Sequence, residues 1–162
     1  MGRRYSISYT GTLTTAGGNA DLLEIIAAAN KSVRLLGFSL GQTSELGDAA
    51  EENLRITVNR LPATFTSGSG GSTPTPRSPN STQTSAGFVA ECNNATVATT
   101  TGTLAVLAEF GWNIRSSPYE FWYPDIELCP DIKNGEGLVI RCESTPADDI
   151  TINMTFWVEE MG

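Results

Sequence analysis

The sequence predicts an all-β protein, an antiparallel β-sandwich of jelly-roll type with eight or nine short strands, and three observations carry that expectation. Apolar and polar residues alternate with period two in segment after segment. Clusters of Gly, Pro, Asn and Asp separate those segments and punctuate turns. The length of 162 residues suits one hydrophobic core, since two domains of this total size would each be marginal. Strands joined in this way pack as two antiparallel sheets and not as βαβ units. We therefore expect a single sandwich domain over 1–162, interrupted by one long polar arm at 64–85.

The elements follow in chain order. Tyr5, Ile7 and Tyr9 alternate with Ser6, Ser8 and Thr10, which reads as a strand with one wet face. Asp21–Asn30 has an Asp cap candidate, good helix formers and an Asn stop, so local propensity favours helix. In a chain otherwise written for strands we read it as a strand. Val33–Leu40 is next, and then Leu54, Ile56 and Val58 alternate with Arg55, Thr57 and Asn59 until Pro62, which cannot donate to a ladder, stops the run. Gly87–Cys92, Leu104–Phe110 and Tyr119–Tyr123 are further strands. Asn134-Gly135 is a strong hairpin signal and leads into Leu138, Ile140 and Cys142, alternating with Val139, Arg141 and Glu143. The last strand is the clearest: Ile150, Ile152, Met154, Phe156 and Val158 share one face, and Thr151, Asn153, Thr155 and Trp157 the other.

The segment 64–85, TFTSGSGGSTPTPRSPNSTQTS, has no apolar residue between Phe65 and Ala86. It is too polar for the core and too long for a hairpin, so it runs over the surface. Its SGSGG half reads as flexible, and Pro74, Pro76 and Pro79 stiffen the other half towards polyproline II. Two readings stay open, a disordered loop and an arm that docks on a neighbouring subunit through its backbone and Arg77.

Composition excludes most catalytic chemistry. There is no histidine, which removes histidine-dependent triads and the commonest zinc ligand. No GxSxG, Walker-type loop or DxDxDG spacing occurs. The net charge of −8 opposes binding to phosphate backbones, so no nucleic-acid partner is expected. No apolar run is long enough to span a membrane, and the first residues have no signal-like apolar stretch. Cys92, Cys129 and Cys142 lack CxxC spacing and read as buried thiols in a cytoplasmically made chain, with a Cys129–Cys142 bridge as the alternative. Glu51–Glu52, Asp148–Asp149 and Glu159–Glu160 are carboxylate pairs, the minimum for glycoside hydrolysis, but neighbours along a strand face opposite ways. We expect no cofactor and no metal site.

Trp112, Tyr119, Phe121, Trp122 and Tyr123 form the one dense group of rings. Tyr119, Phe121 and Tyr123 share one parity and Trp122 the other, as in a strand buried on one face and covered on the other by a loop or subunit. Exposed and coplanar, Trp112, Trp122 or Trp157 would instead make a sugar-stacking platform.

The succession YSISYTGTLTT, VRLLGFSLGQTS, an acidic GDAAEEN turn, NLRITVNRL, the SGSGGSTPTPRSPN arm, GTLAVLAEFGWNIRSSPYEFWYPD and GLVIRCESTPADDITINMTFWVEE resembles small jelly-roll structural proteins of tailed bacteriophages. The resemblance implies a non-enzymatic virion protein, with head decoration or cement as the leading role and a tail, spike or connector component as the alternative. It implies the major capsid protein as partner and the outer surface of the capsid as location, after synthesis in the host cytoplasm. The lumen of a DNA-filled head would repel an acidic chain, which agrees with the outer surface. A homotrimer with self-matching patches fits this role. The contact residues we expect are Arg3, Arg4, Pro74, Pro76, Arg77, Pro79, Trp112, Phe121, Trp122 and Tyr123. A carbohydrate-binding sandwich remains the rival class.

Overall fold

Each alternating segment is a strand in the computed structural model, which describes residues 2–44 and 52–162. In chain order the strands are β1 (Arg3–Leu13), β2 (Ala20–Ile26), β3 (Ser32–Gln42), β4 (Asn53–Leu61), β5 (Val89–Glu91), β6 (Ala105–Asn113), β7 (Tyr119–Trp122), β8 (Asp131–Lys133), β9 (Gly137–Cys142) and β10 (Ile150–Met161). A single 3-10 turn at Ile126–Leu128 is capped by Asp125, whose carboxylate accepts from the Glu127 N–H. The strand reading of Asp21–Asn30 holds for its first half. The short β8 was not anticipated. Most of the acidic GDAAEEN turn, Glu51 included, lies outside the described residues.

Two antiparallel sheets form the sandwich. Sheet A has the order β1-β10-β3-β7, with β8 pairing the other end of β3, and sheet B has the order β5-β2-β9-β4-β6. The two four-strand paths, 1-10-3-7 and 2-9-4-6, make up a jelly roll, in which β1, β2, β3 and β4 alternate between the sheets. The inward faces fill the space between them. On β10 every second residue from Ile150 to Val158 is fully or almost fully buried, and so are Ile7 on β1, Leu40 on β3 and Ile56 on β4. Each such side chain contributes about 1.5–3 kcal/mol by leaving water. The alternation on β10 runs on to Glu160, which is buried but paired: its carboxylate accepts from Lys31 Nζ at 2.9 Å and from the Gly87 N–H at 2.8 Å.

The strand order of sheet B dictates what happens to the arm. β4 and β5 are consecutive strands, yet β9 and β2 lie between them, so the chain must cross a gap of about 14 Å over the sheet. After β5 it must cross back to reach β6. The two crossings pair with each other at Thr66–Thr99, Ser69–Thr96 and Ser72–Cys92, forming a ribbon over the outer face of β2 and β9. Both strands are thereby buried on both faces, and the wet face expected for β9 does not exist: Val139 and Arg141 are buried.

What holds a polar ribbon there is charge. Asp21 points outward from β2 and accepts from Arg141 Nε at 2.5 Å and from the Ala98 N–H at 2.6 Å. Arg141 in turn donates to the Ala98 carbonyl at 2.7 Å. Glu24, one step along, accepts from Ser67 Oγ at 2.5 Å and the Gly68 N–H at 2.9 Å, and also takes an Asn94 amide. Burial pushes the Asp21 carboxyl up while Arg141 pulls it down. The glycines that read as flexibility are needed for close approach. A Cβ at Gly68 would lie 2.6 Å from the Thr96 carbonyl oxygen, and one at Gly71 would collide with the Cys92 carbonyl. Beside these contacts Leu61, Ala98 and Val139, with Phe65 and Leu104, make a small second core.

Rings close the open sides of the sandwich. Phe110 of β6 stacks on Tyr119 at 5.0 Å and on Phe38 at 5.6 Å, and Phe121 joins the stack with Tyr123 edge-on. At the opposite side Tyr5 meets Phe88 edge-on at 5.7 Å.

All three cysteines are free and buried, so no Cys129–Cys142 bridge forms. Burial pushes the Cys92 thiol up to about 12 and the Cys142 thiol to about 11.

Two outcomes follow from these arrangements. Asp21→Ala should destabilise the protein by about 3–5 kcal/mol in urea denaturation, because it strands Arg141 under the ribbon, and Asp21→Leu combined with Arg141→Met should recover only part of that loss, since the buried Ala98 N–H and carbonyl then lose their partners. An aromatic disulfide reagent at neutral pH should label none of the three thiols in the native protein and all three after unfolding; rapid native labelling of Cys92 would show that the ribbon opens.

Candidate functional site

With sheet B roofed by the ribbon, the outer face of sheet A is the broad face left open. The register builds it row by row. Ser6, Trp157, Gly37 and Trp122 form one cross-strand row over β1, β10, β3 and β7; Ser8, Thr155, Ser39 and Glu120 form the next; Thr10, Asn153 and Gly41 form a third. A bulge in β3 at the Trp157/Val158 pairing leaves Leu36 as an extra residue beside the first row.

Trp122 and Trp157 stack with ring centroids 4.5 Å apart and planes at 25°. Gly37 makes this geometry available, since a Cβ there would stand 2.7 Å from the Trp122 ring and 2.6 Å from the Phe121 carbonyl oxygen. Trp122 remains 51% exposed. Such a stack is worth about 0.5–1.5 kcal/mol beyond area burial.

At the β1 edge the second half of the arm arrives. Arg77 exchanges both backbone hydrogen bonds with Ser6, at 2.7 and 2.8 Å, so the arm extends the edge of its own sheet and not that of a neighbour over this stretch. Arg3 Nη1 donates to Thr84 Oγ1, Tyr5 Oη to the Thr84 carbonyl, and the Gln83 amide to the Arg4 carbonyl. Arg4, Pro79, Leu36, Trp122 and Trp157 line one hollow of about 200 Å³.

The structure therefore gathers Arg4, Arg77, Pro79 and Trp122 at one corner of the outer face, whereas Arg3 has the inward parity of Tyr5 and reaches the arm at Thr84. Pro74 and Pro76 lie on the stretch of arm that passes from the ribbon to β1, both half-exposed. The other expected contact residues sit elsewhere. Trp112 is 1% exposed, and its Nε1 donates to the Ser116 carbonyl at 3.4 Å; parity places it on the inward face of β6, so it cannot present a ring to a partner. Phe121 and Tyr123 are half-buried in the closing stack, where burial pushes the Tyr123 hydroxyl up to about 12. The three-tryptophan platform is accordingly reduced to Trp122 and Trp157.

Two arginines, Arg4 and Arg77, at one corner of an acidic chain are notable because, among the described residues, neither is in an ion pair. Described members of the carboxylate pairs make contacts within the fold. Glu159 faces Arg34 at 3.9 Å while Glu160 points inward, Asp149 accepts from the Thr15 N–H, and Glu52 accepts from the Ala147 N–H. Among the described residues no group of three or more His, Cys, Asp or Glu side chains is placed to hold a metal ion, and no helix is long and apolar enough to cross a membrane.

Beyond the corner lies a hollow of about 500 Å³ on the same face, which sequence reasoning did not find. Its side chains are spread over β1, β3, β10 and the 117–118 turn, and only the cross-strand register brings them together.

Fold and surface define an antiparallel jelly-roll sandwich with one roofed and one open face. No protein-family model, no curated protein and no solved structure matches the chain.

The indole pair gives a direct check on this surface. Trp122→Phe and Trp157→Phe should each remove an exciton couplet from the far-ultraviolet circular dichroism, whereas Trp112→Phe should leave it intact. A couplet that survives both of the first two changes would show that the rings do not stack in solution.

Proposed function

We propose that this chain is a non-enzymatic structural component of a tailed-phage particle, a decoration or cement protein that binds the outer surface of the head and bridges major capsid subunits. The observation that carries the reading is the corner where Arg4, Arg77, Pro79 and Trp122 meet. Exposed, unpaired guanidiniums beside a stiff proline segment and a half-exposed indole have the composition of a protein contact rich in hot-spot residues. The overall charge of −8 supports the same side of the shell, because a head packed with nucleic acid repels an acidic chain from its interior. Buried thiols without a disulfide suit synthesis in a reducing cytoplasm. A trimer astride local three-fold axes would let each copy apply the same corner to equivalent capsid subunits.

Quantitative mass spectrometry of particles made by the encoding genome provides the test. Hundreds of copies per head are expected, and heads made without the chain should bind the purified protein back. Arg4→Glu combined with Arg77→Glu should lower that occupancy roughly tenfold at low salt, with the thermal midpoint unchanged. Tens of copies or fewer would assign the chain to a tail, spike or connector, and absence from purified particles would overturn the reading.

A further inference from the structure

The larger hollow on sheet A has a chemistry of its own. It lies between the tryptophan row and the 117–118 turn, and Ser8, Thr10, Ser39, Ser117, Asn153 and Thr155 line it. Its volume of about 500 Å³ is that of a small-ligand site, for which about 300–1,000 Å³ is usual. No described residue lining it carries a charge. An anion would find no counter-charge among the described lining residues, and the charge nearest in the cross-strand rows, Glu120 beside Ser39, stands at the margin and is negative. An apolar ligand would strip water from a field of hydroxyls and amides and leave them unpaired, at a cost of about 1–3 kcal/mol for each group. A ligand that is neutral and bears many hydroxyls meets neither penalty.

Three further observations narrow the ligand. The hollow is kept open by Gly41: a Cβ there would come within 3.0 Å of both Asn153 Oδ1 and Ser117 Oγ, so the missing side chain leaves those two polar atoms facing the space. The Ser8 and Thr155 hydroxyls are already paired at 3.2 Å, which orients them across β1 and β10. Two residues along β10, about 7 Å away, stands Trp157 with the half-exposed Trp122 stacked on it. A flat apolar ring surface beside a strip of uncharged donors and acceptors matches a pyranose chain, whose rings present C–H faces and hydroxyl edges in alternation.

We propose that the outer face of sheet A binds a neutral oligosaccharide, with one sugar ring on the Trp122–Trp157 pair and the next rings in the groove over Gly41, between Asn153 and Ser117. The site shares Trp122 with the particle contact but uses no guanidinium, so a change at Arg77 tests the one without touching the other.

The test uses the full chain in two steps. Fluorescently labelled protein is applied to a printed library of neutral glycans, and each hit is titrated as a soluble oligosaccharide by calorimetry and tryptophan fluorescence. The expected result is saturable binding to at least one glycan with a shift in tryptophan emission. Trp122→Ala and Gly41→Val, the second filling the groove with a good strand former, should each weaken it at least tenfold in a protein whose circular dichroism still shows the folded sandwich, the loss of the indole stack lowering the midpoint of Trp122→Ala by about a few degrees. Arg77→Glu should leave it as it was, while lowering head occupancy if the particle reading is right. Binding to no member of the library overturns the proposal, as does affinity that persists in both variants. Light scattering that shows a self-associated protein dissociated by Trp122→Ala would also overturn it, because a second copy would then be what covers the face.

Discussion

A carboxylate and a guanidinium buried outside the main core govern how this chain is laid out. Asp21 and Arg141 pair on the outer face of sheet B, and between them they hold both the N–H and the carbonyl of Ala98. Neither charge could stay beneath a protein layer without the other, since an ion taken from water costs several kcal/mol after relaxation. The ribbon has the converse problem. Its 66–72 strand is Thr, Ser and Gly, with no apolar face that could hold it to the sheet. The pair and the ribbon therefore form together: the ribbon excludes water from the charges, and the charges supply the bonds the ribbon lacks. Glu24 repeats the device further along with Ser67 and Gly68.

That arrangement makes the two faces of the sandwich unequal. The order of sheet B requires the chain to cross it twice, and the anchored crossings roof β2 and β9. The surplus length of the arm then turns to the edge of β1, where Arg77 occupies the Ser6 backbone groups that an edge strand would otherwise offer to another chain. Sheet A keeps its outer face, with polar rows and one aromatic row. On this architecture the side that the ribbon does not reach is the one left open to contact.

Period two made β1, β4, β9 and β10 legible, β10 most of all because its faces differ along its whole length, and bounding turn residues marked β3, β5, β6 and β7. Bulges account for much of what was obscured. In β2 the register slips between Asp21 and Leu23, so Leu22 is an extra residue and the outward Asp21 and Glu24 fall three apart. With strict alternation broken there, the Asp cap candidate, helix formers and Asn stop of DLLEIIAAAN were left to argue for a helix. β8 has three residues, too few for any period to appear. The arm was visible as an interruption, but its destination was not: polar composition marks a surface segment without saying that its own sheet carries buried carboxylates ready to bind it. At the site, the parity of Trp122 was readable from its neighbours, whereas the pairing of Trp122 with Trp157 depends on a register in which β7, β3 and β10 lie side by side across Gly37. Trp112 misled because density of rings in sequence says nothing about which strand face each ring takes.

The open face combines two environments that respond to different forces. At the arm corner, the Arg4 and Arg77 guanidiniums, outside any ion pair, stand out locally against a chain of net charge −8. Attraction between exposed charges decays within about 8–10 Å at ordinary ionic strength, so this corner steers a partner only when salt is modest and the partner is acidic. The hollow over Gly41 has no lining charge among the described residues, and its selectivity must come from the directions of its donors and acceptors. Hydrogen bonds between neutral groups are little affected by screening, and each contributes only about 0.5–1.5 kcal/mol net. A ligand held that way needs several of them at once plus ring contact, which a chain of linked sugar rings provides and a single small polar molecule does not. Shape, repeated along the strand direction, would then do at the hollow what charge does at the corner.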